Sequence, residues 1–366
     1  MNQKFCKFFK NGLVYNNNTT NFTISPCCYF SKNYVIAPTD VTSQLGHHRL
    51  AWQIEDTDKT CQICKHQELS NIPSYRQTAN NLVTENTDKI VMLTVAVNKK
   101  CNLACPTCGS HSSSLWHREN VRNGIKDSID IINLHKDDHK HIITRKFLSL
   151  IESQDLSELK YIKFGGGEPL MSDTHLQILN MIQNPEQVIV QYTSNFSIMP
   201  SEKIFNIWQK FKLIKWCASI DGINERFEFL RWPYTWDKFN KFKNQAFNIV
   251  PNNVIFGVEH TINPLNILYF DEFKEWFDNE FAYNRLGDPS DFNIHYADGV
   301  MGLNCTTPAL KQEIISKLGV DHQMTKLLNQ IELHGDTDKF IEYLNTINTW
   351  RNQDWKTTFS KVAEFY

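Results

Sequence analysis

The stretch IVMLTVAVNKKCNLACPTC, residues 90–108, sets the reading of the whole chain. Its apolar run from Ile90 to Val97 has the length and β-branched content of a buried strand. A polar turn follows, and then Cys101, Cys105 and Cys108 in C-x3-C-x2-C spacing. KYIKFGGGEPL, residues 160–170, repeats the plan: a short strand, Tyr161–Phe164, runs straight into Gly165, Gly166 and Gly167. The chain has only 14 glycines in 366 residues, roughly half the usual ~7%. Three in a row therefore mark a place where backbone must approach something closely.

Outward from these two stretches, further strands are expected at Val188–Thr193, Leu213–Ile220, Val254–Thr261 and Asn293–Ala297. Helices alternate with them. Ser172 is a candidate cap for a helix through Asn180, Ser201 for one carrying Ile204, Phe205, Trp208 and Phe211, and Asp271 for one carrying Phe273, Trp276 and Phe277. Ser113–Glu152 has room for two helices, and the tail after Asn304 reads as mostly helical. Six strand–helix repeats predict an α/β fold with a parallel sheet, and six are too few to close an eight-stranded barrel, which leaves a partial barrel or an open sheet. The expected architecture is a partial (β/α)6 TIM-like barrel over residues 86–300. A small N-terminal metal-binding segment, 1–85, precedes it and a helical C-terminal extension, 301–366, follows, with Asn71–Asp88 as connector.

Apolar residues at 41%, with 24 Phe, 9 Trp and 12 Tyr, can bury a large core, which excludes general disorder. Lys+Arg of 38 against Asp+Glu of 40 leaves a net charge of -2, so no global basic field exists to hold nucleic acid. No apolar run is long enough for a membrane span, and MNQKFCKFFKNG lacks an apolar signal core. A soluble, cytoplasmic protein is expected. In that setting ten cysteines point to ligands or catalytic groups and away from a disulfide framework.

Three thiolates from one loop can hold three corners of a cubane iron–sulfur cluster and leave the fourth iron open. Structural zinc is the alternative and would need a fourth ligand, His111 or His117. Loops at the carboxyl ends of neighbouring parallel strands share one face. The cysteine loop and the Gly165–Glu168–Pro169 loop should therefore meet, with Glu168 placed to steady an ammonium group.

Both motifs, in this order and context, resemble the radical S-adenosylmethionine (SAM) enzymes across about Ile90–Ala297. The resemblance implies an oxidoreductase- or transferase-type enzyme in which Cys101, Cys105 and Cys108 hold a catalytic [4Fe–4S] cluster. SAM chelates the open iron and is cleaved reductively to a 5′-deoxyadenosyl radical that abstracts a substrate hydrogen. It further implies SAM contacts from Gly166, Gly167 and Glu168, from Thr193, Ser194 and Asn195, from Ser219 and Asp221, and from Arg231 toward the SAM carboxylate. His260, Asn263 and Tyr296 are candidates to line the cavity, with core or hydrogen-bonding roles as the alternative. An electron donor such as a flavodoxin or ferredoxin is expected, and a peptide or protein side chain is favoured as substrate over nucleic acid, nucleotide or small metabolite. Thr107 departs from the apolar or aromatic residue usual before the third cysteine, which weakens the expected packing on adenine.

Cys6, Cys27, Cys28, Cys61 and Cys64 lie ahead of this core. Their arrangement is similar to SPASM and twitch modules that carry an auxiliary iron–sulfur cluster. The ligand set is Cys6, Cys27, Cys61 and Cys64, with Cys28 the alternate to Cys27, and zinc suits the same four thiolates. A non-enzymatic zinc-binding module is the reading from another class, and it gives the glycine loop no purpose. His47, His48 and Arg49, and His135, His139 and His141, read as solvated faces. Trp232, Tyr234 and Trp236 read as core aromatics and Cys217 as a small buried hydrophobe. Cys305 stands alone.

Overall fold

The computed structural model describes residues 6–7, 11–16, 22–27, 34–36, 61–83, 87, 89–126, 145, 147–281 and 291–366. Nine strands form one sheet: β1 Gly12–Asn16, β2 Phe22–Ser25, β3 Tyr34–Ile36, β4 Met92–Asn98, β5 Tyr161–Gly166, β6 Ile189–Ser194, β7 Leu213–Ser219, β8 Val254–Ile262 and β9 Asp291–Tyr296. Their spatial order is β3-β2-β1-β4-β5-β6-β7-β8-β9. From β4 to β9 each strand pairs in parallel with the next in sequence. This is the curled α/β half-barrel that the six repeats predict, and every predicted core strand lies within two residues of its observed bounds. One strand is additional. β1 pairs in parallel with β4, Leu13 opposite Leu93, so the parallel set has seven members. β2 and β3 continue the sheet as an antiparallel edge.

The helices are α1 Gln62–Leu69, α2 Tyr75–Leu82, α3 Ser114–Arg122, α4 Thr174–Leu179, α5 Glu202–Trp208, α6 Asn224–Leu230, α7 Trp236–Ile249, α8 Phe270–Glu280, α9 Pro308–Leu318, α10 Gln323–Asn329, α11 Thr337–Arg351, α12 Trp355–Thr358 and α13 Ser360–Ala363. Two predicted starts shift. A 3-10 turn at Pro169–Met171 occupies the chain after the glycine loop, so α4 begins after Asp173, one residue beyond Ser172. Another, Ile267–Tyr269, runs directly into α8, which places Asp271 inside the first turn and Tyr269 at the cap. Ser201 does precede α5, although its side chain makes no capping bond. Within Ser113–Glu152, α3 and a helical stretch at 147–152 account for the described residues.

Strand alternation sorts two faces. On the outer face Tyr192, Trp208, Trp216 and Phe256 pack as an aromatic layer, with Tyr192–Trp208 centroids 5.1 Å apart and Trp216–Phe256 5.9 Å. Each such side chain contributes about 1.5–3 kcal/mol by burial. A second core joins α9–α13 to the far ends of β8 and β9 through Ile262, Ile294, Leu310, Phe340, Trp355 and Phe359. The C-terminal helices are thus packed on the end of the barrel that carries the loops after the strands.

Candidate cofactor site at the mouth of the half-barrel

The cysteine and glycine loops meet where β4 and β5 end. The Gly167 amide donates to the Asn98 carbonyl at 2.7 Å and the Glu168 amide to the Lys100 carbonyl at 2.8 Å. Gly166 has φ +100°, and a Cβ there would stand 2.7 Å from the Asn98 carbonyl oxygen; at Gly167 it would stand 2.4 Å from that of Lys100. These two glycines are required because the cysteine loop lies against them. Gly165 differs: nothing lies within 4 Å of the Cβ it lacks, which opens space beside the loop.

Glu168 is fully buried. Its carboxylate accepts from the Leu170 amide at 3.1 Å, the Asn195 amide at 2.7 Å and the Ser194 hydroxyl at 3.1 Å. Burial outweighs these bonds and pushes its pKa up to about 7. The carboxylate therefore ties the glycine loop to the end of β6, and a cation brought to it would restore its charge. Asn195 carries the tie onward: its side-chain amide donates to Asn102 Oδ1 at 2.7 Å and lies 3.8 Å from Cys101 Sγ.

The cysteine loop is braced from behind. Ser113 caps α3 and donates to the Leu103 carbonyl at 2.6 Å. Trp116 Nε1 donates to the Cys105 carbonyl at 2.9 Å, and Tyr343 of α11 donates to the Pro106 carbonyl at 2.7 Å. Arg351 makes a buried bidentate pair with Glu119, 2.9 and 2.7 Å, with its guanidinium 4.6 Å from the Trp116 ring and 4.8 Å from that of Trp232. Sequence reasoning missed this brace, which joins residues more than 200 positions apart.

Asp221 and Arg231 are both buried and pair with each other at 2.7 Å. Arg231 Nη1 lies 3.8 Å from Cys105 Sγ, while Asp221 Oδ1 accepts from the Thr261 amide at 2.8 Å. Arg231 thus stands at the cysteine loop, with Asp221 as its carboxylate partner. Thr193 faces the barrel interior, 3.5 Å from Glu259, and Ser219 ends β7 half-buried. Thr107 is half-buried.

The three cysteine thiols act on one another electrostatically, and burial pushes Cys101 up to about 12, Cys108 up to about 11 and Cys105 upward as well. Binding a metal group would release their protons. The donor set fits a cubane: three sulfurs on one loop, each able to take a different iron, beside the open space at Gly165. Among the described residues, no three His, Cys, Asp or Glu side chains converge on a single ion. His111 turns over Gly109, where a Cβ would stand 2.9 Å from its Nδ1, and its carbonyl accepts from Lys99.

Of the N-terminal cysteines, Cys6, Cys27, Cys61 and Cys64 are buried. Cys6 and Cys64 both act on the Arg76 guanidinium, which pairs with Glu68. Cys28 lies outside the described residues, as do His47, His48, Arg49, His135, His139 and His141.

Strand alternation decides which side chains face the barrel interior. His260 points outward, stacked on Phe273 at 4.1 Å with Nδ1 donating to the Ile220 carbonyl at 2.7 Å. Its neighbour Glu259 points inward, where Gln191 donates to it at 2.6 Å, Lys163 pairs with it at 3.3 Å and His295 makes a close contact. Lys163 and the contact with His295 hold Glu259 down to about 2 despite its burial. Cys217 is buried within β7 as expected, and it faces the same interior near the charged Glu259, Asp291, Lys163 and Lys215. Lys163 on β5, Gln191 and Thr193 on β6, and Glu259 and Thr261 on β8, spaced by two where they share a strand, were the available signal. Asn263 closes a turn, accepting from the Leu265 amide at 3.0 Å. Tyr296 shares the outward face of His260, being two residues beyond Ile294, which pairs with His260, and it lines a separate cavity on that side.

No family model matches the chain, and no curated protein matches it. Solved structures do match at the level of chain path. Native anSMEcpe with bound AdoMet and Kp18Cys peptide is 12% identical, TM-score 0.36, over 57% of this chain and 51% of that one. SuiB of Streptococcus suis bound to S-adenosylmethionine is 12% identical, TM-score 0.33, over 83% of this chain and 67% of that one. SuiB bound to precursor peptide SuiA is 11% identical, TM-score 0.33, over 93% and 70%. This chain thus spans about half the length of the first of these. No described helix is long and apolar enough to cross a membrane.

Proposed function

We propose that this chain is a radical SAM enzyme acting on a peptide or protein side chain. The carrying observation is the clamp between the Cys101–Cys108 loop and the Gly165–Glu168 loop, with glycine required at 166 and 167 and space beside Gly165. Cys101, Cys105 and Cys108 would hold a [4Fe–4S] cluster, and Cys6, Cys27, Cys61 and Cys64 a second one, with zinc the alternative there. The bound cluster and SAM together supply a radical able to remove hydrogen from an unactivated carbon, chemistry that no side chain provides.

The chain's own residues bind and orient. Gly166 and Gly167 bring backbone close to the ligand, and Glu168 offers a buried carboxylate to the SAM ammonium. Asn195 holds the end of β6 against Asn102, and Arg231 sets a cation beside Cys105. Thr193 and Ser219 face the barrel interior as hydroxyl partners for the ribose. Tyr343 and Arg351 keep the loop in register and exclude water behind it. An electron donor of flavodoxin or ferredoxin type would serve the cluster, and the net charge of -2 favours a peptide over a long polyanion.

The test is 5′-deoxyadenosine formation by anaerobically reconstituted protein with SAM and a strong reductant. Product that disappears in Cys105→Ala is expected. Product retained in that variant, or none from wild-type protein shown to hold its cluster and given peptide, would overturn the assignment.

A further inference from the structure

Beside the cofactor site is a cavity of about 460 Å³ whose walls come from three parts of the chain. α1 contributes Ile63 and His66, the end of β9 contributes Tyr296 and Asp298, and the segment around α10 contributes Ile331 and Glu332. The cavity opens at the carboxyl end of the last barrel strand, where parallel α/β sheets present their ligands. Its walls are fixed. His66 Nδ1 bonds the Tyr296 hydroxyl at 3.1 Å with the rings stacked, and Gln67 Nε2 donates to the Ile294 carbonyl at 2.7 Å, which fastens α1 to the edge of β9.

The cavity lies between the two cysteine groups. Gln62 and Ile63 of its lining stand between Cys61 and Cys64 in the chain, and Asp298 acts electrostatically on His111, three residues beyond Cys108.

Its chemistry is graded. Ile63, Ile331 and the Tyr296 ring offer an apolar wall, while the carboxylates Asp298 and Glu332 stand at the opening, with His334 Nδ1 4.0 Å from Glu332. Such a surface suits an aliphatic stem ending in a cation, because a long basic side chain lays its methylenes on apolar walls and keeps its head in a wet, anionic rim. An anionic side chain would meet like charge.

We propose that this cavity is a substrate subsite for a lysine- or arginine-type side chain of a peptide. The peptide context rests on the function proposed above; the charge preference rests on the cavity alone. Binding is measured on the full-length reconstituted protein with N-acetyl-lysine N-methylamide as probe. N-acetyl-norleucine N-methylamide serves as the uncharged counterpart and cadaverine as an amine without a peptide backbone.

The lysine probe is expected to bind saturably and about two- to tenfold more tightly than the norleucine probe, the range two exposed carboxylates can supply. Asp298→Asn with Glu332→Gln should erase that preference while leaving the fold intact, since both positions are exposed. Equal binding of the two probes, a preference that survives the double substitution, or cadaverine binding as tightly as the lysine probe would overturn the proposal. 5′-Deoxyadenosine formation without peptide is independent of this cavity, so failure of the subsite and failure of the cofactor assignment give different results.

Discussion

The two cysteine groups of this chain are built in opposite ways. Cys101, Cys105 and Cys108 fall within eight consecutive residues on one loop, and the rest of the molecule converges to brace it. The glycine loop closes one side, Asn195 and Arg231 reach in from the ends of two other elements, and Tyr343 and Arg351 lock the back. Cys6, Cys27, Cys61 and Cys64 come from three separate segments; β1 joining the sheet and α1 lying on β9 help to fix those segments. A ligand set carried on one braced loop needs little chain closure, whereas one gathered from distant segments must offset the entropy of ordering them. The first group should hold its geometry without a metal, and the second should depend on its metal for order.

The largest expected effect breaks that contrast by function. Alanine at Cys101, Cys105 or Cys108 should abolish 5′-deoxyadenosine formation, while alanine at Cys61 or Cys64 should leave SAM cleavage measurable by chromatography. Equal loss at both groups would mean that the N-terminal site is part of the catalytic one.

The braces can be compared next, by chemical denaturation. Arg351→Met should cost about 3–5 kcal/mol, because it leaves Glu119 buried and unpaired. Arg76→Met beside Cys64 should cost clearly less, since Arg76 and Glu68 retain 12% and 18% side-chain exposure against 0% and 6% for Arg351 and Glu119. Similar costs would show that the two regions are held equally firmly.

The glycine loop offers an internal control. Gly167→Ala must move backbone of the cysteine loop and should cost about 1–3 kcal/mol by overpacking. Gly165→Ala meets nothing and should change stability by less than about 0.5 kcal/mol, yet raise the SAM concentration needed for half-maximal turnover. A Gly165→Ala variant with wild-type SAM dependence would show that this space is not used.

A smaller effect is read in pH. Burial holds His175 down to about 3 and His260 down to about 4. Each folded pKa is below the ordinary value, so the unfolded chain binds the extra protons. Stability is full above about pH 6.5 and falls as pH drops toward 4, by about 2 kcal/mol per histidine between pH 7 and 5. His260→Gln should flatten that slope; an unchanged slope would mean that the ring takes a proton without leaving its stack on Phe273.

Much of this was legible in the sequence. The strands β4–β9 follow from apolar runs with β-branched residues, and the two loops that form the mouth follow from C-x3-C-x2-C and from three glycines in a glycine-poor chain. β1 was not legible as a barrel strand, because GLVYN is short and its partner is decided by register with β4. Glu259 was passed over for His260 by one position: residue type suggested the histidine, whereas period-two alternation turns the glutamate inward. Arg351 and Tyr343 carry no local signal at all, since their meaning lies in contacts with Glu119 and Pro106 that only the folded C-terminal helices create.

The central claim is that the cysteine loop and the glycine loop form one cofactor site with an open iron. The most direct measurement is the electron paramagnetic resonance spectrum of the reduced cluster with and without SAM. A Cys61→Ser, Cys64→Ser background removes any signal from the proposed N-terminal site. SAM is predicted to shift that spectrum in this background, with a weakened shift in Gly165→Ala. A spectrum indifferent to SAM, from protein holding a full [4Fe–4S] cluster, would contradict the account.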